Sequence, residues 1–225
     1  MANRRSTARD LAQIAVFAAL IAALGLPGKI LVGASAVPIT FQTLGVMLAG
    51  AILGARKGFL AVLTFDVLTF AGLPLLAGPR GGPAPFTSSV SAGFLYGWLL
   101  GVVVIGFLTS AIMPKYPLWA GILATAAGGM VLIYAVGIPW WAMRGHFSLS
   151  YVTSLNLIFL PGDSVKVVIT ALVAKQVHRA YPGLIRPRAS KRAVVAAPST
   201  SVGPADLSDK LPERSGESQG TTPLG

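Results

Sequence analysis

The chain has 225 residues, of which 54% are hydrophobic and only 11% are charged, and its mean hydropathy is +0.72. Because about a quarter of the residues in a soluble globular domain are charged, this composition predicts an integral membrane protein. The chain has no cysteine, which excludes disulfides, thiolate metal sites and cysteine nucleophiles. The net charge of +11 does not indicate a nucleic-acid partner, because the basic residues punctuate apolar runs instead of clustering on a polar domain.

Apolar runs separated by glycine, proline and basic residues predict the transmembrane helices, each of which needs about 20 mostly apolar residues. In chain order there are six runs, covering about residues 11–26, 41–54, 58–76, 91–113, 118–138 and 161–177. The first run follows the basic segment MANRRSTARD without a convincing signal-peptide cleavage site, so we interpret it as a retained helix. The sequence therefore predicts an all-α membrane domain of six helices over residues 1–180.

The basic residues predict the orientation of this domain. With six helices both chain ends lie on the same side of the membrane, and most of the basic residues fall on that side: Arg4, Arg5, Arg9, Arg56, Lys57, Lys115, Lys175 and Arg179. The opposite side has only Lys29, Arg80 and Arg144. The positive-inside rule then places both ends in the cytoplasm, and the loops around residues 77–93 and 137–150 outside.

Residues 181–225 differ in composition from the rest of the chain. They are rich in proline, serine, glycine and threonine and have little apolar content. Because such a segment cannot bury enough apolar surface to offset the entropy of ordering, we expect a disordered cytoplasmic tail.

An aspartate and a lysine begin the sixth apolar run, in the segment FLPGDSVKVVITALVA. Asp163 and Lys166 are three residues apart, which places both side chains on one helix face. In a soluble protein a helix cap with a local ion pair would explain them. In a membrane, ionisable groups are costly and usually face a cavity or a functional path. A carboxylate that accepts N–H groups and an ammonium that donates to a carbonyl could together hold a planar, urea-like or amide-like ligand.

Two further charges have alternative explanations. Arg80 lies in the glycine-rich and proline-rich segment LAGPRGGPAP, where it could bind a ligand carboxylate through two parallel hydrogen bonds or be an ordinary solvated loop residue. Asp66 interrupts the third apolar run. It could pair with a basic residue of another helix, contact a ligand or exchange a proton, and the sequence does not separate these roles.

Small residues form a stripe on the first predicted helix. Ala15, Ala19 and Ala23 recur every four residues, a spacing that lets another helix approach closely. Alanine is common in such helices, so chance is the alternative explanation. If the stripe is functional, it is a docking face for a partner or for another helix of this chain.

The remaining patterns indicate no metal site and no catalytic machinery. His146 and His178 are far apart in the predicted topology, and neither has a second metal ligand at useful spacing. Trp140 lies where an aromatic belt is expected, with a lid over a ligand as the alternative. The sequence contains no phosphate-binding loop, nucleophile elbow or zinc-protease motif, so we expect no enzyme activity.

Four segments, in this order, resemble the BioY family: VPITFQTLGVMLAGAILGARKGFLAVLTF, AGLPLLAGPRGG, GIPW and FLPGDSVKVVITALVA. This family comprises the biotin-binding S-components of bacterial energy-coupling factor (ECF) transporters, and the resemblance spans about residues 12–174. It implies a six-helix S-component in the bacterial plasma membrane, which takes biotin from outside and needs no cofactor. It also implies docking, through the face of Ala15, Ala19 and Ala23, onto a transmembrane coupling protein driven by two ATPase subunits.

The same resemblance implies roles for the charged residues. Asp163 and Lys166 would hold the ureido ring of biotin, Arg80 its carboxylate, and Asp66 would occupy the position of a polar residue of the third helix that contacts ligand. The apolar wall would come from loop residues: Phe41 and Trp140, with Val37, Pro38 and Phe86.

Two other function classes are alternatives. A proton-coupled secondary transporter of another small carboxylated solute would use Asp66 as its relay. An intramembrane enzyme lacks a nucleophile and a base at recognisable spacing. Besides biotin and the ECF subunits, the candidate partners are membrane lipid and a second copy of the chain.

Overall fold

The computed structural model describes residues 2–29 and 37–185, and their backbone is mostly helical. The elements are α1 (Ala2–Ala23), α2 (Gln42–Phe70), α3 (Ala84–Thr87), α4 (Ala92–Ile112), α5 (Leu118–Ala126), a π-helical segment (Ala127–Leu132), α6 (Ile133–Gly145), α7 (Leu149–Asn156), a 3-10 turn (Leu157–Phe159) and α8 (Leu160–Ala180). Leu76 and Arg80 form an isolated extended bridge. The predicted all-α class is confirmed for this part of the chain.

Four helical stretches in the described residues are long and apolar enough to cross a membrane: Gln42–Phe70, Ala92–Ile112, Leu118–Gly145 and Leu149–Ala180. Large apolar side chains on their outer surfaces are exposed, including Leu100, Phe107, Leu123 and Leu172. Exposed apolar surface of this kind is stable in lipid and unfavourable in water. The protein is therefore a membrane protein, as its composition predicts.

Helix α2 is a hairpin and not one straight rod. Gly54, in its interior, has φ 80° and ψ 178°, which is not helical. A β-carbon placed on Gly58 would lie 2.9 Å from the carbonyl oxygen of Ala49, although a straight helix separates residues nine apart by about 13.5 Å. The chain therefore reverses at Gly54, and the two halves of α2 match the second and third apolar runs of the sequence.

Helix α4 packs against this hairpin at backbone distance. A β-carbon on Gly50 would lie 2.8 Å from the carbonyl oxygen of Val102, and one on Gly106 would collide with the backbone nitrogen of Ala55. Because glycine leaves these spaces empty, α4 approaches both arms of the hairpin closely. This packing fixes the two arms beside the helix whose aromatic residues line the cavity described below.

The predicted end of the fifth helix at residue 138 is wrong. The helix continues through Pro139 to Gly145, so most of the segment predicted as a loop is helical. Trp141 is fully buried in a cluster with Val37, Val152 and Phe159, and burying an aromatic side chain of this size favours the longer helix. A proline inside a helix usually ends or kinks it, which explains the error.

Helix α8 ends at Ala180, and the predicted division of the chain at residue 180 stays a prediction. Residues 186–225, which make up most of the predicted disordered tail, lie outside the described residues, and so do residues 30–36 of the loop after α1. The tail stays a prediction.

The reversal at Gly54 generates a first prediction. Its φ and ψ angles belong to a region that is accessible almost only to glycine, so Gly54→Ala should destabilise the protein by roughly 1–3 kcal/mol. Gly162→Ala is the control, because Gly162 lies in the helix α8 and a β-carbon there would meet nothing within 4 Å. Thermal unfolding in detergent should separate the two variants. A Gly54→Ala protein as stable as the wild type would contradict the hairpin geometry.

Candidate ligand-binding site

A cavity lies among the first residues of α2, the loop before α3, and helices α4, α6 and α8. Together with the solvent-open space at its mouth, it measures about 640 Å³. Its lining residues are Val37, Pro38, Ile39, Thr40, Gln42, Thr43, Leu76, Arg80, Ser91, Phe94, Leu95, Trp98, Ile133, Tyr134, Phe159, Asp163 and Lys166. The wall is mostly apolar, and a few polar groups are set into it.

Asp163 and Lys166 form a buried ion pair at this cavity. The Nζ atom of Lys166 lies 2.8 Å from Oδ1 of Asp163, and the two residues are only 6% and 5% exposed. Pro161 is tolerated in the first turn of α8, where its missing N–H would have no helical partner. Asp163 also lies in this turn, where a negative charge is stabilised by the helix dipole.

Both charged groups have further hydrogen-bond partners. Lys166 donates to the carbonyl oxygen of Thr40 at 2.7 Å and to Oγ1 of Thr43 at 3.4 Å. The hydroxyl of Tyr134 donates to Oδ2 of Asp163 at 2.5 Å. All three ammonium donors are therefore engaged, whereas the carboxylate accepts two hydrogen bonds and keeps lone pairs for others. A ligand N–H could bind Asp163 directly, and a ligand carbonyl would replace the long contact to Thr43.

Arg80 reaches the cavity from a tight turn. Leu76 and Arg80 exchange both backbone hydrogen bonds, at 3.1 and 3.2 Å, and Gly78 between them has φ +77°. The Nε atom of Arg80 donates to the carbonyl oxygen of Ala77 at 3.2 Å. Partial burial lowers the pKa of the Arg80 guanidinium from its ordinary value, because desolvation penalises the cation. No acidic side chain among the described residues pairs with it, so an anionic ligand would supply the missing charge.

Three other predicted ligand residues do not line this cavity. Asp66 is buried, and its Oδ1 atom has no hydrogen-bond partner among the described residues. Phe41 is 45% exposed. Trp140 donates from Nε1 to the carbonyl oxygen of Ser89 at 3.1 Å and packs edge-on against Tyr96. The ligand role of these three residues stays a prediction.

Several polar residues of the cavity were not singled out from the sequence. Gln42, Thr43 and Tyr134 line it, and each lies within or beside an otherwise apolar run. An uncharged polar side chain in a transmembrane segment was the signal that could have identified them. The aromatic part of the wall comes from helices and turns rather than from the predicted loop residues, through Phe94, Trp98 and Phe159.

The alanine stripe of α1 faces away from the helices that this structure describes. Ala15, Ala19 and Ala23 are exposed, whereas Ala18 and Ile21 on the other face are buried in the core. The stripe is therefore not needed for packing within the described residues, and its role in docking stays a prediction.

The arrangement supports binding rather than catalysis. Among the described residues no group of three or more histidine, cysteine, aspartate or glutamate side chains could hold a metal ion. The polar groups at the cavity are one carboxylate, two cations and several neutral hydrogen-bonding groups, set in an apolar wall. The fold and site define a membrane-embedded protein that binds a small polar solute.

Comparison with known proteins gives the family. The sequence profile of the BioY family matches residues 1–183. The chain is 42% identical over 179 residues to a biotin transporter BioY from Rhizobium etli, covering 77% of this chain and 95% of that protein. It is 44% identical over 191 residues to a biotin transporter BioY from Rhodobacter capsulatus, covering 80% and 98%.

A solved structure gives the same result. The crystal structure of the S-component for biotin from an ECF-type ABC transporter matches with a TM-score of 0.74 and 29% sequence identity, covering 78% of this chain and 93% of that one. The chain belongs to the BioY family. It is therefore related to transporters and is not an enzyme.

The burial of the ion pair generates a second prediction. Lys166→Met would leave the Asp163 carboxylate buried without its cation, which should cost about 3–5 kcal/mol of stability, and adding Asp163→Asn should recover a large part of the loss. The matched control is Lys57→Met, because Lys57 pairs with Asp10, which is 52% exposed, and such a pair contributes about 0–1 kcal/mol. Thermal unfolding without ligand measures all of these variants. Equal, small losses for Lys166→Met and Lys57→Met would contradict the burial of the pair.

Proposed function

We propose that this chain is the membrane substrate-binding subunit of a biotin uptake system. The observation that carries the proposal is the cavity that brings together the buried Asp163–Lys166 pair and Arg80. The relatives that the chain matches over most of its length are biotin transporters. The chain captures biotin and delivers it inward.

The chemistry of biotin matches these polar groups. Its ureido ring has two N–H donors, which the free lone pairs of Asp163 accept, and a carbonyl that takes a hydrogen bond from Lys166. Its carboxylate binds the Arg80 guanidinium, whose planar fork suits two parallel hydrogen bonds. A hydrogen bond to a charged group contributes roughly 1.5–3 kcal/mol, so a few of them with burial of the apolar ring give tight binding.

The apolar part of the ligand needs a wall of matching character. Phe94, Trp98 and Phe159 line the cavity beside the charged groups, and Trp98 is held by Phe65 at a ring-centroid distance of 6.2 Å. A rigid aromatic wall buries the thioether ring and the carbon chain without ordering new side chains.

The domain crosses the bacterial plasma membrane six times, with both ends in the cytoplasm. The reversal at Gly54 divides α2 into two arms, and these arms, together with α1, α4, the α5–α6 stretch and α8, give six crossings. The basic residues, which are concentrated on one side of this arrangement, support its orientation. The cavity then opens to the outside, near the start of α8 and the Arg80 turn.

Energy for uptake comes from partner subunits. The sequence has no phosphate-binding loop, so a transmembrane coupling protein and two ATPase subunits of the ECF type supply the ATP hydrolysis. The exposed face of Ala15, Ala19 and Ala23 is the proposed docking surface, because small residues permit close helix contact.

The cavity assignment generates a third prediction. Purified protein should bind biotin tightly in calorimetry, and Asp163→Asn, Lys166→Ala and Arg80→Ala should each weaken binding by more than about tenfold, or roughly 1.4 kcal/mol. Arg144→Ala is the matched control, because Arg144 lies outside the cavity lining and contacts the Trp140 ring and the carbonyl oxygen of Thr87. Unchanged affinity in all three cavity variants would contradict the site. Failure of the wild type to bind biotin in a panel of vitamins would contradict the function.

The docking face generates a fourth prediction. Ala19→Trp should block co-purification with the ECF coupling protein while leaving biotin affinity within about twofold, because a bulky side chain prevents close helix contact. Ala135→Trp is the matched control, since Ala135 is an exposed alanine on another helix, α6. Retained co-purification of the Ala19→Trp protein, or equal loss in both variants, would contradict the assignment of this face.

A further inference from the structure

Gln42 is a buried amide at the point where three parts of the chain meet. It is the first residue of α2, it is only 1% exposed, and it lines the cavity. An amide at such depth is costly unless its donors and its acceptor are satisfied. The partners of this side chain therefore indicate what it holds together.

The Gln42 amide bonds the end of α1 and the loop that follows α2. Its Nε2 atom donates to the carbonyl oxygen of Leu75 at 3.0 Å and to that of Ile21 at 3.3 Å. Its Oε1 atom accepts the backbone N–H of Ala77 at 3.0 Å. Both N–H groups and the carbonyl oxygen are used, so the side chain is a three-way junction between backbone segments.

The backbone packs closely around this junction at two glycines. A β-carbon on Gly25 would lie 2.9 Å from Nε2 of Gln42 and 3.0 Å from the carbonyl oxygen of Leu75. One turn further along α2, a β-carbon on Gly45 would lie 2.9 Å from Cγ1 of Ile21. The last turn of α1 therefore sits directly against both Gln42 and the loop.

The loop in question carries Arg80. Ala77 donates its backbone N–H to Gln42, and its carbonyl oxygen accepts the Nε–H of Arg80 at 3.2 Å. The backbone bridge between Leu76 and Arg80 closes the turn around Ala77. Two hydrogen bonds, both made by the backbone of Ala77, therefore connect the Gln42 side chain to the Arg80 guanidinium.

We propose that Gln42 is a positioning residue for Arg80: it holds the Leu76–Arg80 turn at the cavity and fixes that turn to the end of α1. The proposal rests on the proposed function, in which Arg80 binds the ligand carboxylate. Gln42 acts through Arg80, so its removal affects recognition of the carboxylate and leaves recognition of the ureido ring intact.

The first test compares biotin with biotinamide, in which the carboxylate is replaced by a neutral amide. Gln42→Met should weaken biotin binding by about tenfold, from the loss of well-aligned hydrogen bonds that place a charged group. Its affinity for biotinamide should stay within about twofold of wild type, and in an Arg80→Ala background the substitution should have no further effect on biotin. Gln13→Met is the matched control. Gln13 is also a glutamine with a side-chain hydrogen bond, but it lies within α1, away from the cavity lining, and its Oε1 atom accepts a hydrogen bond from Lys57.

Two results would overturn the proposal. An equal loss for biotin and biotinamide would mean that Gln42 acts through the whole fold. A loss that adds to that of Arg80→Ala would mean that Gln42, which also lines the cavity, contacts the ligand directly. Gln42→Asn carries the same test if the methionine variant does not fold, because its amide is uncharged but one methylene shorter, too short to keep all three hydrogen bonds.

The second test needs no ligand and separates this proposal from the proposed function. Backbone hydrogen exchange in detergent should be faster in Gln42→Met than in wild type for residues 73–82 and for residues 20–27, and unchanged in Gln13→Met. If the wild type does not bind biotin, the proposed function fails, and faster exchange still supports the junction. If the wild type binds biotin, and the Gln42 variant has the same biotin affinity and the same hydrogen-exchange rates as the wild type, the positioning role fails.

Discussion

Burial of one carboxylate and one ammonium in a membrane domain is the constraint on which the rest of this structure depends. Removing either ion from water costs several kcal/mol, and a bare pair seldom recovers that cost. Here the pair is surrounded by groups that complete its hydrogen bonding: Tyr134 for Asp163, and Thr40 and Thr43 for Lys166. The segment before α2, the helix α6 and the first turns of α8 must therefore meet at one place, and a cavity lies where they meet.

The glycines of the hairpin make that meeting possible. Because the chain reverses at Gly54, the start and the end of α2 lie near one another, and Gln42 can bond to the loop that follows Phe70. At Gly50 and Gly106, α4 packs closely against the hairpin. The Arg80 turn and the ion pair thus reach one cavity from segments far apart in sequence.

Much of this architecture could be predicted from the sequence, because membrane burial depends on simple local signals. Apolar runs predicted the membrane helices. Asp163 and Lys166 were identified as candidate ligand residues because charge is costly in an apolar run, and Arg80 because it lies in a glycine-rich segment. The continuation of α6 past Pro139 could not be predicted, since it depends on the burial of Trp141 by residues distant in the chain. The neutral cavity residues were missed for a related reason: Gln42 and Tyr134 acquire their roles only from partners 35 and 29 positions away.

The hydrogen-bond inventory of the pair also indicates how its two members differ as recognition groups. Lys166 has no free donor, so a ligand carbonyl gains a hydrogen bond only by displacing Thr43. Asp163 keeps unused lone pairs, so ligand N–H groups add hydrogen bonds without breaking any. Because the pocket is already ordered by its own contacts, little side-chain entropy is lost when a ligand enters. In the proposed complex the carboxylate would therefore contribute more to affinity for an N–H-bearing ring, while the ammonium would chiefly hold that carboxylate in place.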